Sequence, residues 1–351
     1  MKKTIYLLLI LFPLMATSCD MLFMENEASN DGIANFESMW KQIDEKYSFF
    51  EYKNIDWDSV YNVYRPMVDK NTEGQELFNV LAGMMNALND GHSNIFSPFD
   101  YSRNWSWFMN YPPNFDKNIL DRNYLGTDYS VTGPFKHTWL DDGIAYIYYG
   151  SFSGSLITQE EWNFIAEKYV DCKGIIFDVR NNGGGYVANV NFIGSQLVDF
   201  EFLYGVYKVK NGPKHNDFSE YIPLMVYPVE KQGAELQTPQ AKRFKSNNII
   251  VLTNRHCYSA TNFFVMLMKS LPNVTVVGDY TGGGGGLPMD YQLPNGWNYR
   301  FSSTISYDNR EVNIEHGIAP HIKIDMSPED IAEGKDSLIE KAISILNKNS
   351  K

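Results

Sequence analysis

Three short apolar runs, "GIIFDV" (174–179), "NIIVLTN" (248–254) and "VTVVGD" (274–279), constrain this chain more than any other feature. Each is strand-length, bounded by Gly, Asn or Asp, and lacks the polar alternation of a half-exposed strand. Such runs read as strands buried on both faces. Helical stretches separate them. "NNGGG" leads from the first run into a helix over 186–199, and "SATNFFVMLMKSL" follows the second. Thr158 and Glu161 form a T-x-x-E capping box that opens a helix through about Tyr169, ahead of the first run. Strand-like alternation in "GIAYIYYGSF" (143–152) precedes that helix. Strands alternating with helices argue an α/β fold with a parallel sheet.

The flanks are different in kind. Phe36, Trp40, Ile43 and Tyr47 step by four, three and four, which is one apolar face of a helix. Asp56 or Asp58 can cap a second helix carrying Val60, Tyr64 and Met67. Leu77, Leu81, Met84 and Leu88 mark a third, with Gly91 as its stop. Residues 34–95 therefore read as a small helical bundle, 96–136 as an irregular or β connecting segment, and 137–351 as the α/β core. Within the core, the polar segment 211–246 reads as an insertion over one face. "SPEDIAEGKDSLIEKAISILNK" closes the chain as a helix capped at Ser327, with Pro328 in its first turn.

The first residues, "MKKTIYLLLILFPLMATSCD", combine two lysines, a short apolar run and small residues before Cys19. This is a secretory signal over 1–18 and not a membrane span. Cleavage before Cys19 resembles a bacterial lipoprotein signal, with Ala16 where the lipobox usually has leucine. An ordinary signal peptide is the alternative. A lipid on Cys19 places the protein at the bacterial cell envelope, on the outer membrane, with 19–33 as a tether. The net charge of −12, without a Lys/Arg cluster, argues against nucleic acid as a partner. Cys172 and Cys257 could pair, but neither stands at metal-ligand spacing and no HExxH occurs, so no metal and no cofactor are expected.

"YTGGGGGLP" (280–288) holds five consecutive glycines. It lacks the lysine and hydroxyl of a phosphate loop, and Leu287-Pro288 prevent a helix from following at once, so it is not a nucleotide cradle. With "GIIFDVRNNGGGYV", "NIIVLTNRHCYSATNFF" and "EHGIAPHIKID", taken in order, it makes the chain resemble the C-terminal-processing (tail-specific) serine peptidases over about 143–346. That resemblance implies a crotonase-like core and makes Ser259, in "CYSATN", the nucleophile. The family's lysine base stands twenty-five residues on, and here that position is Gly284, so the run contributes backbone alone and reads as a wall of the cleft against which substrate main chain can lie. Tricorn-type relatives use a histidine from the end of the N-terminal helices, and "NDGHS" resembles their D-G-H-[ST] motif. His92 is then the base, with His256 and His316 as runners-up, since a serine hydroxyl needs a neighbouring acceptor for its proton. The resemblance also implies Glu315 and Ser93 as a relay behind the histidine, and Gly183, Gly184 and the Ala260 amide as the oxyanion hole. Asp178 and Arg180 read as a structural pair. His321 stands where relatives carry aspartate. The stretch from Asn94 to Thr138 is too short for the PDZ module that many relatives insert. The function implied is peptide-bond hydrolysis of a peptide or protein substrate. The competing reading is a catalytically silent binding protein for an apolar ligand or peptide on the same fold.

Overall fold

The computed structural model describes residues 29–140, 143–232, 240–246 and 248–349 of the 351-residue chain. The signal segment and Cys19 lie outside them. The three apolar runs become the strands Gly174–Asp178, Ile249–Thr253 and Val274–Gly278, adjacent and parallel at the centre of a seven-stranded sheet. Ile322–Lys323 adds a parallel edge beyond Val274–Gly278. On the other side Ile144–Tyr149 pairs parallel with Gly174–Asp178, and Phe135–Leu140 and Ser130–Thr132 extend the sheet antiparallel.

The period of two in a strand explains why these runs are continuously apolar. Ile175, Phe177, Val251 and Val276 face a layer built from the helices Gln159–Lys168, Val187–Leu197 and Ala260–Ser270. Ile176, Ile250, Leu252 and Val277 face Leu338, Ile339, Ala342 and Leu346 of the helix Ser337–Asn349. Both sheet faces are thus covered. The capping box forms as expected: the Thr158 amide donates to the Glu161 carboxylate at 2.8 Å, and the Glu161 amide to Thr158 Oγ1 at 3.2 Å.

The N-terminal helices run over Gly32–Lys46, Trp57–Tyr64 and Gly74–Asn86, with Asp31 and Asp56 capping the first two. They do not bury their apolar faces only against one another. Phe36, Met39, Tyr47, Leu81 and Met84 share one core with Tyr299 and Phe301. These belong to Asn298–Ser302, the central strand of a small antiparallel sheet between Asn94–Phe96 and Pro288–Gln292. The helical region is therefore sealed by strands from the far end of the chain.

Several expectations change. The third helix ends at Asn86 and the chain turns at Asn89, in the left-handed region (φ 45°), so Gly91 is not its stop. The closing helix is two, Pro328–Ala332 and Ser337–Asn349, broken at Gly334 (φ 72°). Its second start is capped by Asp336, which accepts the amides of Leu338 and Ile339. The 211–246 segment includes the strand Ile222–Val226, paired with Phe202–Val209. Within 96–136 a π-helical turn spans Leu120–Leu125. Cys172 and Cys257 are both free and buried.

Arg180 follows the Gly174–Asp178 strand and is fully buried. Its guanidinium donates to Asp178 through Nε and Nη2 and to Asp336 through Nη1, at 2.6–3.1 Å. Asp178 and Arg180 are a structural pair, completed by a third residue 156 positions away from Arg180. Removing one partner of a buried ion pair leaves the other charge uncompensated, at a cost of roughly 3–5 kcal/mol. Arg180→Ala, which strands both buried carboxylates, should lower the unfolding free energy by about that amount in urea titration, far more than removal of the exposed Lys335–Glu333 pair.

Candidate active site

The strand Ile249–Thr253 leads through a tight turn to Ser259, the N-cap of the helix Ala260–Ser270. Ser259 has φ 57° and ψ −123°, a conformation that costs a non-glycine residue about 1–3 kcal/mol. Neighbouring backbone holds it there. The Ser259 amide donates to Gly283 O at 2.9 Å, the Tyr258 amide to Asn182 O at 3.1 Å, and the Gly282 amide to Cys257 O at 2.8 Å.

The loop after the Gly174–Asp178 strand lies directly against this turn. A Cβ on Gly184 would come within 2.7 Å of Ser259 Cβ and 2.9 Å of Ala260 N, and its φ of +99° already requires glycine. Gly183 faces open space. The amides of Gly183 and Ala260 bond to no described residue, and Ala260 sits in the first turn of a helix, where amides are unmatched. Gly184 differs from expectation: its amide donates to Asn182 Oδ1 at 3.0 Å and is not a free donor. Its contribution is clearance beside the serine.

His92 comes from the turn after the third helix, fixed by its amide donating to Asp90 Oδ1 at 2.8 Å. It lines the same cavity of about 520 Å³ as Ser259, Gly183 and Gly184. Its ring lies 4.9 Å from that of Tyr258, the residue before the serine. The ring is buried and its Nδ1 has no hydrogen-bond partner. Burial pushes its pKa down to about 4; Asp90 pulls upward, while Arg300 and Lys53 push further down. The imidazole is therefore neutral near pH 7 and able to accept a proton.

Behind His92 lies a buried charge cluster that sequence reading only partly found. Lys53 Nζ sits 2.7 Å from Glu315 Oε1 and 3.9 Å from Asp90 Oδ2. Burial pushes the Glu315 carboxyl up to about 7 against the pull of Lys53. Burial also acts to raise Asp90, but Lys53 and His92 draw it below the usual carboxylate range. Glu315 and Ser93 do not hydrogen-bond to His92. Glu315 is engaged with Lys53 and with the Gly285 amide at 2.9 Å, and Ser93 Oγ is buried without a partner. Asp90 is the carboxylate that acts most strongly on His92. Its signal was the D-G-H motif itself; Lys53, an ordinary helical lysine in sequence, carried none. The runners-up stand outside the cavity, with His256 packed on Phe108 and His316 on Tyr52. His321 accepts the Val276 amide at 3.0 Å, beside the sheet edge.

Residues 282–286 are buried and do not line the cavity that holds Ser259 and His92; Gly282 alone reaches an adjoining one, beside Trp107 and Tyr258. Each glycine abuts the protein itself. A Cβ on Gly282 would meet Arg255 O, on Gly283 Glu315 O, on Gly284 the Tyr258 ring, on Gly285 Ile314 and on Gly286 Ser302 and Phe49.

An open-sheet α/β fold, with a serine strained at a strand-to-helix turn beside a glycine loop and a buried neutral imidazole, defines a class built to present a nucleophile. Comparison with known proteins narrows it. The model of peptidase family S41 matches residues 143–324, more than half of the chain, and the chain belongs to that family. The tricorn protease C1 domain matches residues 34–86. A tricorn-like protease C-terminal subunit of Sulfurisphaera tokodaii is 28% identical over 177 residues, which is 49% of this chain and only 17% of that protein. Among solved structures, a Parabacteroides merdae protein described as a peptidase is 44% identical with a TM-score of 0.81, over 90% of this chain and 96% of that one. Mature CPAF complexed with lactacystin (12% identity, TM-score 0.66, 91% of this chain and 98% of that one) shares the fold. So does the photosystem II D1 C-terminal processing protease (13%, TM-score 0.53, 87% and 96%).

Gly184→Ala combines a left-handed φ with contact at 2.6 Å to Tyr258 O, which cannot retreat without moving Ser259. A loss of about 2 kcal/mol or more in urea titration is the expected result.

Proposed function

We propose that this chain is a serine peptidase acting through an acyl-enzyme on Ser259. The observation that carries the reading is the shared cavity, in which a strained serine at a helix N-terminus faces the same space as a buried, neutral histidine. Ser259 Oγ attacks the substrate carbonyl while His92 takes its proton. The amides of Gly183 and Ala260 donate to the oxyanion, each worth on the order of 3 kcal/mol in such sites. His92 then returns the proton to the leaving amine, and water, activated by the same imidazole, releases the acyl group. Asp90 stabilises the imidazolium formed in between. Glu315 acts behind it, through the Lys53 cluster the two carboxylates share, and Ser93 lines that interior next to His92.

The substrate class that fits is a peptide or protein, reached from the cell envelope by a chain anchored through lipid on Cys19. The signal-like segment 1–18 supports that placement. No helix among the described residues is long and apolar enough to cross a membrane.

Labelling with a fluorophosphonate probe tests the chemistry. The wild-type protein should label at Ser259, and Ser259→Ala should abolish it. His92→Ala should slow it by on the order of 10³-fold. The pH profile carries a sign. Because burial lowers the His92 pKa, the neutral base persists below the ordinary value of 6.5, and labelling should fall only as pH drops through about 4. An acid limb at 6.5, or labelling that survives Ser259→Ala, would remove these residues from the mechanism. Anchoring has its own test: in a bacterial host, radiolabelled palmitate should enter the wild-type protein and be absent from Cys19→Ser, which should move to the soluble fraction.

A further inference from the structure

Arg300 lies on the central strand of the small sheet, Asn298–Ser302, and its side chain lines the cavity that holds Ser259 and His92. The neighbouring strand fixes it. Asn94 Oδ1 accepts from Nε at 3.2 Å and from Nη2 at 3.1 Å, while the Asn94 amide group donates to Ser102 O at 3.3 Å. The guanidinium carbon sits 5.6 Å from the Phe96 ring centroid. These contacts use two of five N–H donors and supply no negative charge. Asp290 stands opposite Arg300 in the strand register, yet it is exposed and makes no ion pair with it. Among the described residues no carboxylate pairs with Arg300. The contrast with Arg180 is informative, since that guanidinium is matched by two carboxylates. A half-buried arginine that is oriented but unneutralised, and open to a cleft, is arranged for an anion from outside.

We propose that Arg300 is an anion subsite of this cleft, which seats a carboxylate of the peptide beside the nucleophile and so selects substrates carrying one there. The carboxylate can be an acidic side chain or the free C-terminus of a peptide cleaved near its end; both present the same planar pair of oxygens to the guanidinium fork. This deepens the peptidase reading and rests on it only for what happens after binding. The influence of Arg300 on the His92 ring places its charge within electrostatic reach of the base.

Calorimetric titration of the full-length Ser259→Ala protein measures the preference without turnover. Three peptides of one sequence frame serve as probes: one with an acidic side chain and an amidated end, one without acidic residues but with a free C-terminus, and one with neither. At least one carboxylate peptide should bind roughly tenfold or more tighter than the neutral one, about 1.4 kcal/mol, with the advantage shrinking as salt rises. Which of the two does so identifies the source of the carboxylate. Arg300→Gln should collapse the ratio to near unity, and Arg300→Lys should retain part of it. Equal affinity for all three peptides, absence of binding by any, or a preference that survives Arg300→Gln overturns the proposal. The three-peptide comparison on the protein with Arg300 intact stands even if an Arg300 variant misfolds. A preserved preference with no Ser259 labelling and no cleavage would instead count against the peptidase reading alone.

Discussion

Backbone packing at Gly282–Gly286 ties three separated parts of the chain into one site. The Gly283 carbonyl accepts the Ser259 amide, the Gly284 amide donates to Glu315 O, and the Gly285 amide donates to the Glu315 carboxylate. Main chain from the Ser259 turn, the glycine run and the segment at 315 are close enough that a Cβ on Gly283 would fall 1.9 Å from Glu315 O. Side chains are excluded because the protein's own atoms already fill the space beside each glycine. The strained φ of Ser259 persists because neighbours on both sides over-determine it. Where lysine-bearing relatives place a base, this chain places a structural seam.

That seam also bears on the base proposed above. With Gly284 in the lysine position, the proposed acceptor, His92, comes from the N-terminal helical region. His92 enters a dry interior where its neutral form is favoured, and such an imidazole is a weak base in the resting protein. The compensation is local: Asp90, two residues earlier in sequence, supplies negative charge that grows in value as the ring becomes cationic. Lys53 limits the supply by sharing itself between Asp90 and Glu315. At the histidine the Asp90 carboxylate opposes burial and the positive charges of Arg300 and Lys53, and Glu315 meets Lys53 and not the ring, so behind His92 lies a charge cluster and not the chain of hydrogen bonds implied by resemblance.

What was legible in the sequence follows from how local the physics is. The parallel strands could be read because a strand buried on both faces must be apolar throughout, and the Thr158–Glu161 box because its two bonds span three residues. Ser259 and His92, which line one cavity, stand in short motifs that single them out in the sequence. The glycine run was visible but misread as a cleft wall, since nothing local says that Glu315 O will lie against it. Asn89 makes the left-handed turn where Gly91 was read as the stop, and Gly91 instead leaves clearance for Trp107 and the Tyr258 hydroxyl, neither of which is local in sequence. Gly334 broke the last helix where polar periodicity ran through it. Lys53, Asp336 and Arg300 gave no signal at all, because each acts on residues far away in sequence, 262 positions in the case of Lys53 and Glu315.

The placement of Asn298–Ser302 shows how stability and recognition share one element. Tyr299 and Phe301 point into the core of the N-terminal helices, while Arg300, on the opposite face, points into the cleft. A period of two thus divides a five-residue strand between holding the helical region against the α/β core and lining the cavity that contains Ser259 and His92. His92 depends on the first role, because the turn that carries it leaves the helix sealed by those two aromatics. Any substitution that loosens Tyr299 or Phe301 therefore shifts His92 and the Arg300 guanidinium together, and the geometry of the cavity is only as firm as that packing.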